Sequence, residues 1–68
     1  MKIVLNGEAR EVSDGLTLQE LLAECGLDPA QKGIAIAVNA EIAIRGRWAS
    51  TRVEAGDRID IIRAVQGG

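Results

Sequence analysis

Only one stretch of this chain has a helical period, and it is short. In "TLQELLAECG", residues 17–26, Leu18, Leu21, Leu22 and Cys25 recur at i, i+3, i+4 and i+7, a single apolar stripe. Thr17 and Glu20 have the spacing of a capping box, in which each side chain satisfies a free amide at the helix start. Gly26 supplies the left-handed stop. On this stripe Cys25 reads as a small core hydrophobe rather than a reactive thiol. A solitary amphipathic helix cannot bury its stripe against itself, so the rest of the chain must provide a sheet.

The rest of the chain has the period of strands. In "KIVLN", residues 2–6, Ile3 and Leu5 share one face, and Asn6-Gly7 is the dipeptide of a tight hairpin with positive φ at both turn positions. "EAREV" returns as a more polar strand, which suits an edge. In "GIAIAV", residues 33–38, Ile34, Ile36 and Val38 alternate with Ala35 and Ala37. "NAEIAIRGRWAS" predicts a turn, a short strand and one helical turn over 47–50. After the "EAGDR" turn, "RIDIIRAV" puts Ile59 and Ile61 on one face and Asp60 and Ile62 on the other. Its near-continuous apolar character predicts a central strand parallel to the first. The expected class is α+β: a four- or five-stranded mixed sheet with one helix packed across one face.

Composition narrows the function. Sixty-eight residues make one domain, and 47% hydrophobic content with mixed charge indicates a globular one. Trp48 is the sole aromatic residue, so the core consists of Ile, Val, Leu and Ala, with Trp48 covering an open end. One cysteine and no histidine exclude most metal sites and all Cys–His or Ser–His–Asp catalysis. The net charge is −2, and the arginines of the second half are interleaved with acids and lack aromatic partners, so nucleic acid is not expected. No run approaches the ~18 apolar residues of a membrane span, and "MKIVLNGE" is not a signal peptide, so the expected location is the cytoplasm.

The chain stops on "IIRAVQGG". Two glycines give a backbone without Cβ atoms, suited to threading a narrow channel and to leaving a terminal carbonyl open to attack. The dipeptide alone fits a frayed end equally well.

Taken together, the strand order, Val38-Asn39, the Arg45–Trp48 segment, "GDRIDI" at 56–61 and the terminal "VQGG" resemble the sulfur carriers of thiamine biosynthesis, the ThiS family. The resemblance runs the whole length. It departs at Ala43-Ile44, where the family commonly has valine and proline before the arginine. The sibling small subunit of molybdopterin synthase tends to have an aromatic and prolines where this chain has Ile62, Arg63, Ala64 and Val65.

The resemblance implies a ubiquitin-like β-grasp domain over 1–66 and a flexible di-glycine tail at 67–68. It implies a carrier rather than an enzyme, with no catalytic residue, metal or cofactor of its own. The Gly68 carboxylate would be adenylated by an E1-like adenylating enzyme using ATP and magnesium. It would then take sulfur from a persulfide donor protein and pass it, as a thiocarboxylate, to thiazole synthase. Gly67 would keep the tail narrow. Partner binding is expected on the uncovered sheet face at Val4, Ala35, Ala37 and Ile62, a flat patch with no large side chain protruding. Arg58 and Arg63 would lie at its rim, and Val65 and Gln66, leading into the tail, are expected to bind the partners as well. The competing readings are the molybdopterin sibling, a ubiquitin-like modifier joined to target lysines through the same terminus, and a plain binding module with an inert tail.

Overall fold

The computed structural model describes residues 1–64. The expected tail at 67–68, and Val65 and Gln66 before it, lie outside the described residues. The elements are β1 (Lys2–Leu5), β2 (Glu8–Glu11), α1 (Leu18–Glu24), β3 (Ile34–Val38), β4 (Glu41–Ala43), a 3-10 turn (Arg45–Arg47) and β5 (Arg58–Arg63).

Local chemistry explains most of them. Asn6 and Gly7 have φ of 50° and 84°, the left-handed pair that folds β1 onto β2. The Thr17 hydroxyl accepts the Glu20 amide at 3.1 Å, and the Glu20 carboxylate accepts the Thr17 amide at 2.9 Å, closing the capping box. At the other end Gly26, at φ 81°, donates its amide to Ala23, and the Leu27 amide reaches Leu22 at 2.9 Å. That pair of bonds is a Schellman stop.

The five strands run in the order β2-β1-β5-β3-β4. β5 is central, parallel to β1 and antiparallel to β3, as its apolar run predicts. β2 is an exposed edge. α1 buries Leu18, Leu21 and Leu22 against Ile3, Leu5, Ile34, Ile36 and Ile59, while Val12, Leu16, Val53 and Trp48 complete the core. Cys25 caps α1 and is half-buried rather than enclosed, because the stripe's last position falls where the helix ends.

The segment after β3 is more ordered than its sequence suggests. Asn39 and Ala40, at φ 50° and 71°, make a second tight hairpin turn into β4. The helical turn comes two residues earlier than expected, at Arg45–Arg47. Trp48 is almost wholly buried, as expected of a cover for the core. Arg45 lies over its ring at 4.4 Å and donates to the carbonyls of Pro29 and Gln31, the latter at 2.7 Å, so it pins the loop between α1 and β3.

Candidate functional site

The candidate site is the sheet face that α1 leaves open, together with the end of β5. Strand alternation turns Ile59 and Ile61 toward the core and Arg58, Asp60 and Ile62 away from it. On β3, Ala35 is paired with Ile62 and Ala37 with Asp60. On β1, Val4 sits beside Arg58 and Ala9. Val4, Ala35, Ala37 and Ile62 therefore do share one face. Arg58 stands at its margin, 3.5 Å from the Asp60 carboxylate.

Two expectations need correcting. The patch is not flat: Ile42, Ile44 and Ile62 are 69%, 71% and 55% exposed, and all three belong to this face. Ile42 pairs with Ala37 across β3 and β4, and extended Ile44 continues the same alternation. Ala37, between Ile42 and Asp60, is nearly covered. Arg63 is not at this rim. It pairs with the inward-facing Ile34, so it lies on the helix side, beside a groove of about 360 Å³ lined by Leu5, Arg10, Cys25 and Leu27.

Ile42 and Ile44 are the residues that sequence reasoning missed. The signal was the Asn39-Ala40 turn. A two-residue hairpin loop sets the register, and register decides whether the isoleucines or Ala43 of "EIAI" point inward. Here Ala43 packs against the core.

β5 is held at both ends. Asn39 donates from its side chain to Asp57 at 3.1 Å and accepts the Arg58 amide at 3.0 Å, and Asp57 accepts the Glu54 amide at 2.8 Å. This joins Val38-Asn39 to the "GD" turn, two motifs of the sequence resemblance. At the far end the Ile61 amide donates to the Asn6 side chain at 2.8 Å, and the Ala64 amide donates to the Gly33 carbonyl at 2.7 Å.

Among the described residues, no group of three or more His, Cys, Asp or Glu could hold a metal ion. No described helix is long and apolar enough to cross a membrane. The four residues expected to carry or guide the chemistry, Val65, Gln66, Gly67 and Gly68, lie outside the described residues. The described part offers an exposed apolar face and, at the centre of the sheet, β5.

A mixed five-stranded sheet grasping one helix, with its last strand central, defines a ubiquitin-like β-grasp domain. The ThiS family model matches residues 3–68. The chain belongs to the ThiS family. It is 38% identical to the sulfur carrier protein ThiS of Escherichia coli (strain K12) over 68 residues, all of both proteins. It is 37% identical over 68 residues to a thiazole synthase of Paramagnetospirillum magneticum, and spans 20% of that protein's length. The crystal structure of a thiamine biosynthesis protein (ThiS) from Geobacter metallireducens superposes with a TM-score of 0.83 at 27% identity, each chain covered in full.

Proposed function

We propose that this chain carries sulfur for the thiazole moiety of thiamine, as a thiocarboxylate on Gly68. The observation that carries the reading is the central β5, held on both flanks and leading past Ala64 beside an exposed apolar face, in a chain of the ThiS family.

The chemistry follows from the carboxylate. With a pKa of about 3.3–3.7 it is an anion at neutral pH and a poor electrophile. An E1-like adenylating enzyme, using ATP and magnesium, joins the carboxylate oxygen to the α-phosphorus and releases pyrophosphate. The outer sulfur of a persulfide donor protein then attacks the acyl carbon, and AMP leaves. A thiol cleaves the resulting S–S bond, is itself oxidised to a disulfide, and leaves the thiocarboxylate. That sulfur goes to the substrate of thiazole synthase. The partners supply the catalysis, in the cytoplasm, and this chain supplies the acyl group and the surface they grip.

That surface is Val4, Ala35, Ala37 and Ile62, extended by Ile42 and Ile44, with Arg58 at its margin. Small proteins rarely expose contiguous apolar surface without a partner for it. Val65 and Gln66 connect the face to Gly67 and Gly68.

The test is ATP–pyrophosphate exchange with the cognate adenylating enzyme, followed by intact mass. Wild type should support exchange and gain sulfur in place of one oxygen. A variant with one residue added after Gly68 moves the carboxylate by ~3.3–3.6 Å and should do neither. If the extended chain is thiocarboxylated as readily as wild type, Gly68 is not the carrier residue.

A further inference from the structure

β5 has unequal neighbours where it ends. On one flank β3 stays alongside as far as the Ile34–Arg63 pair. On the other, β1 pairs only at Val4–Arg58 and Leu5–Ile59 before Asn6-Gly7 turns it away into its hairpin. The Asn6 amide still reaches the Ile59 carbonyl at 2.9 Å. The amide of Ile61 then has no β1 residue left to meet, and the side-chain carbonyl of Asn6 takes it at 2.8 Å. One residue thus turns the hairpin and continues the parallel ladder beyond the last strand pair.

Gly33 acts from the opposite flank. Its carbonyl accepts the Ala64 amide at 2.7 Å. It does so from φ +80°, and a Cβ there would stand 3.4 Å from the Ala64 Cβ. A side chain at this position is therefore strained by the backbone angle, with its Cβ in contact with Ala64. Between the two anchored amides lies Ile62, the exposed residue of the docking face. Asn6 and Gly33 thus hold the end of β5 on either side of Ile62.

We propose that Asn6 and Gly33 are positioning residues for sulfur loading, acting through β5 to aim the C-terminal segment relative to a partner seated on Ile62. The proposal rests on the carrier function above. Its consequence is specific: loosening either hold impairs turnover and leaves docking intact, because a misplacement of ~1 Å costs about a hundredfold in rate.

The experiment is steady-state sulfur loading with the cognate adenylating enzyme, varying the carrier concentration. Asn6→Gly keeps the left-handed turn and deletes the acceptor. Asn6→Asp keeps both. Asn6→Gly should lower kcat by about tenfold or more with KM within about twofold, and Asn6→Asp should recover kcat to within about threefold of wild type. Gly33→Ala should lower kcat in the same way. Amide hydrogen exchange at Ile61 should quicken in Asn6→Gly and stay slow in Asn6→Asp. Wild-type kcat in Asn6→Gly despite fast exchange at Ile61 overturns the proposal, as does a defect confined to KM or one that Asn6→Asp does not restore. A wild-type chain that takes no sulfur overturns the carrier function and this proposal together. Should Asn6→Gly lose its native circular dichroism, the kcat of Gly33→Ala decides by the same criterion.

Discussion

The indole N–H of Trp48 donates to the backbone carbonyl of Ala43 at 3.0 Å. This bond ties the cover of the core to β4 at Ala43, the residue of "EIAI" that packs against the core. With Ala43 turned in, Ile42 and Ile44 are turned out. The side chain that closes the core and the isoleucines that widen the exposed apolar face are consequences of one register.

Trp48 is too large a part of this core to lose. Replacing a buried aromatic by alanine costs about 3–5 kcal/mol, and a domain this small has a net stability of about 3–5 kcal/mol. Trp48→Ala should therefore be largely unfolded at 25 °C. Trp48→Phe keeps most of the apolar volume, loses the bond to Ala43, and should fold with a loss of roughly 1–2 kcal/mol. Urea titration followed by far-ultraviolet circular dichroism measures both. A cooperative, wild-type-like transition in Trp48→Ala would show that the core closes without it.

The proposed docking face should be separable from the fold. Ile44→Asp and Ile62→Asp place a charge where the residue is already more than half exposed, so the melting temperature should hardly move. Affinity for the adenylating enzyme should fall about tenfold or more for each, a loss of roughly 1.4 kcal/mol. Calorimetric titration gives the dissociation constant. Unchanged binding in both variants would remove this face from the interface.

Ala40 is a built-in weakness. An L-residue in the left-handed region costs roughly 1–2 kcal/mol, and Ala40 has φ 71°. Glycine relieves that strain but loosens the unfolded chain, at a cost of about 0.4–1 kcal/mol. Ala40→Gly should gain roughly 0.5–1 kcal/mol on balance and raise the melting temperature by a few degrees, on the order of 2–8 °C. A lower melting temperature would mean that the turn is not strained.

The helix start carries the clearest pH dependence. Hydrogen bonds from the Thr17 amide and hydroxyl hold the Glu20 carboxyl below its ordinary value of 4.5. Its stabilising contribution is present above that value and is lost as pH falls through the lower folded one. The melting-temperature gap between wild type and Glu20→Gln should therefore be present at neutral pH and close below 4.5. A gap that stays constant into strong acid would mean the carboxylate is not the source. Thr17→Ala, which removes the other half of the box, should cost about 1 kcal/mol.

What the sequence determined by itself is what neighbours along the chain decide. Period 3.6 in residues 18–25 and period 2 around it name the helix and the strands, because backbone geometry imposes those repeats. The Asn6-Gly7 turn, the Thr17–Glu20 box and the Gly26 stop were legible for the same reason: each is closed by groups within a few residues. The central place of β5 was legible too, from the near-continuous apolar run of Ile59, Ile61 and Ile62.

The tertiary structure alone decided which side the ambiguous residues take. Ile42 and Ile44 look like core and are exposed, because the turn at Asn39-Ala40 sets a register in which a one-residue slip would exchange the two faces. Arg63 looks like rim and lies on the helix side, because it pairs with Ile34. Asn6 looks like a turn residue and nothing more. Its second role, holding the amide of Ile61 across 55 positions, exists only once β1 and β5 lie side by side. Hydrogen bonds of that kind join groups whose separation along the chain carries no local signal, so only the assembled sheet brings them within reach.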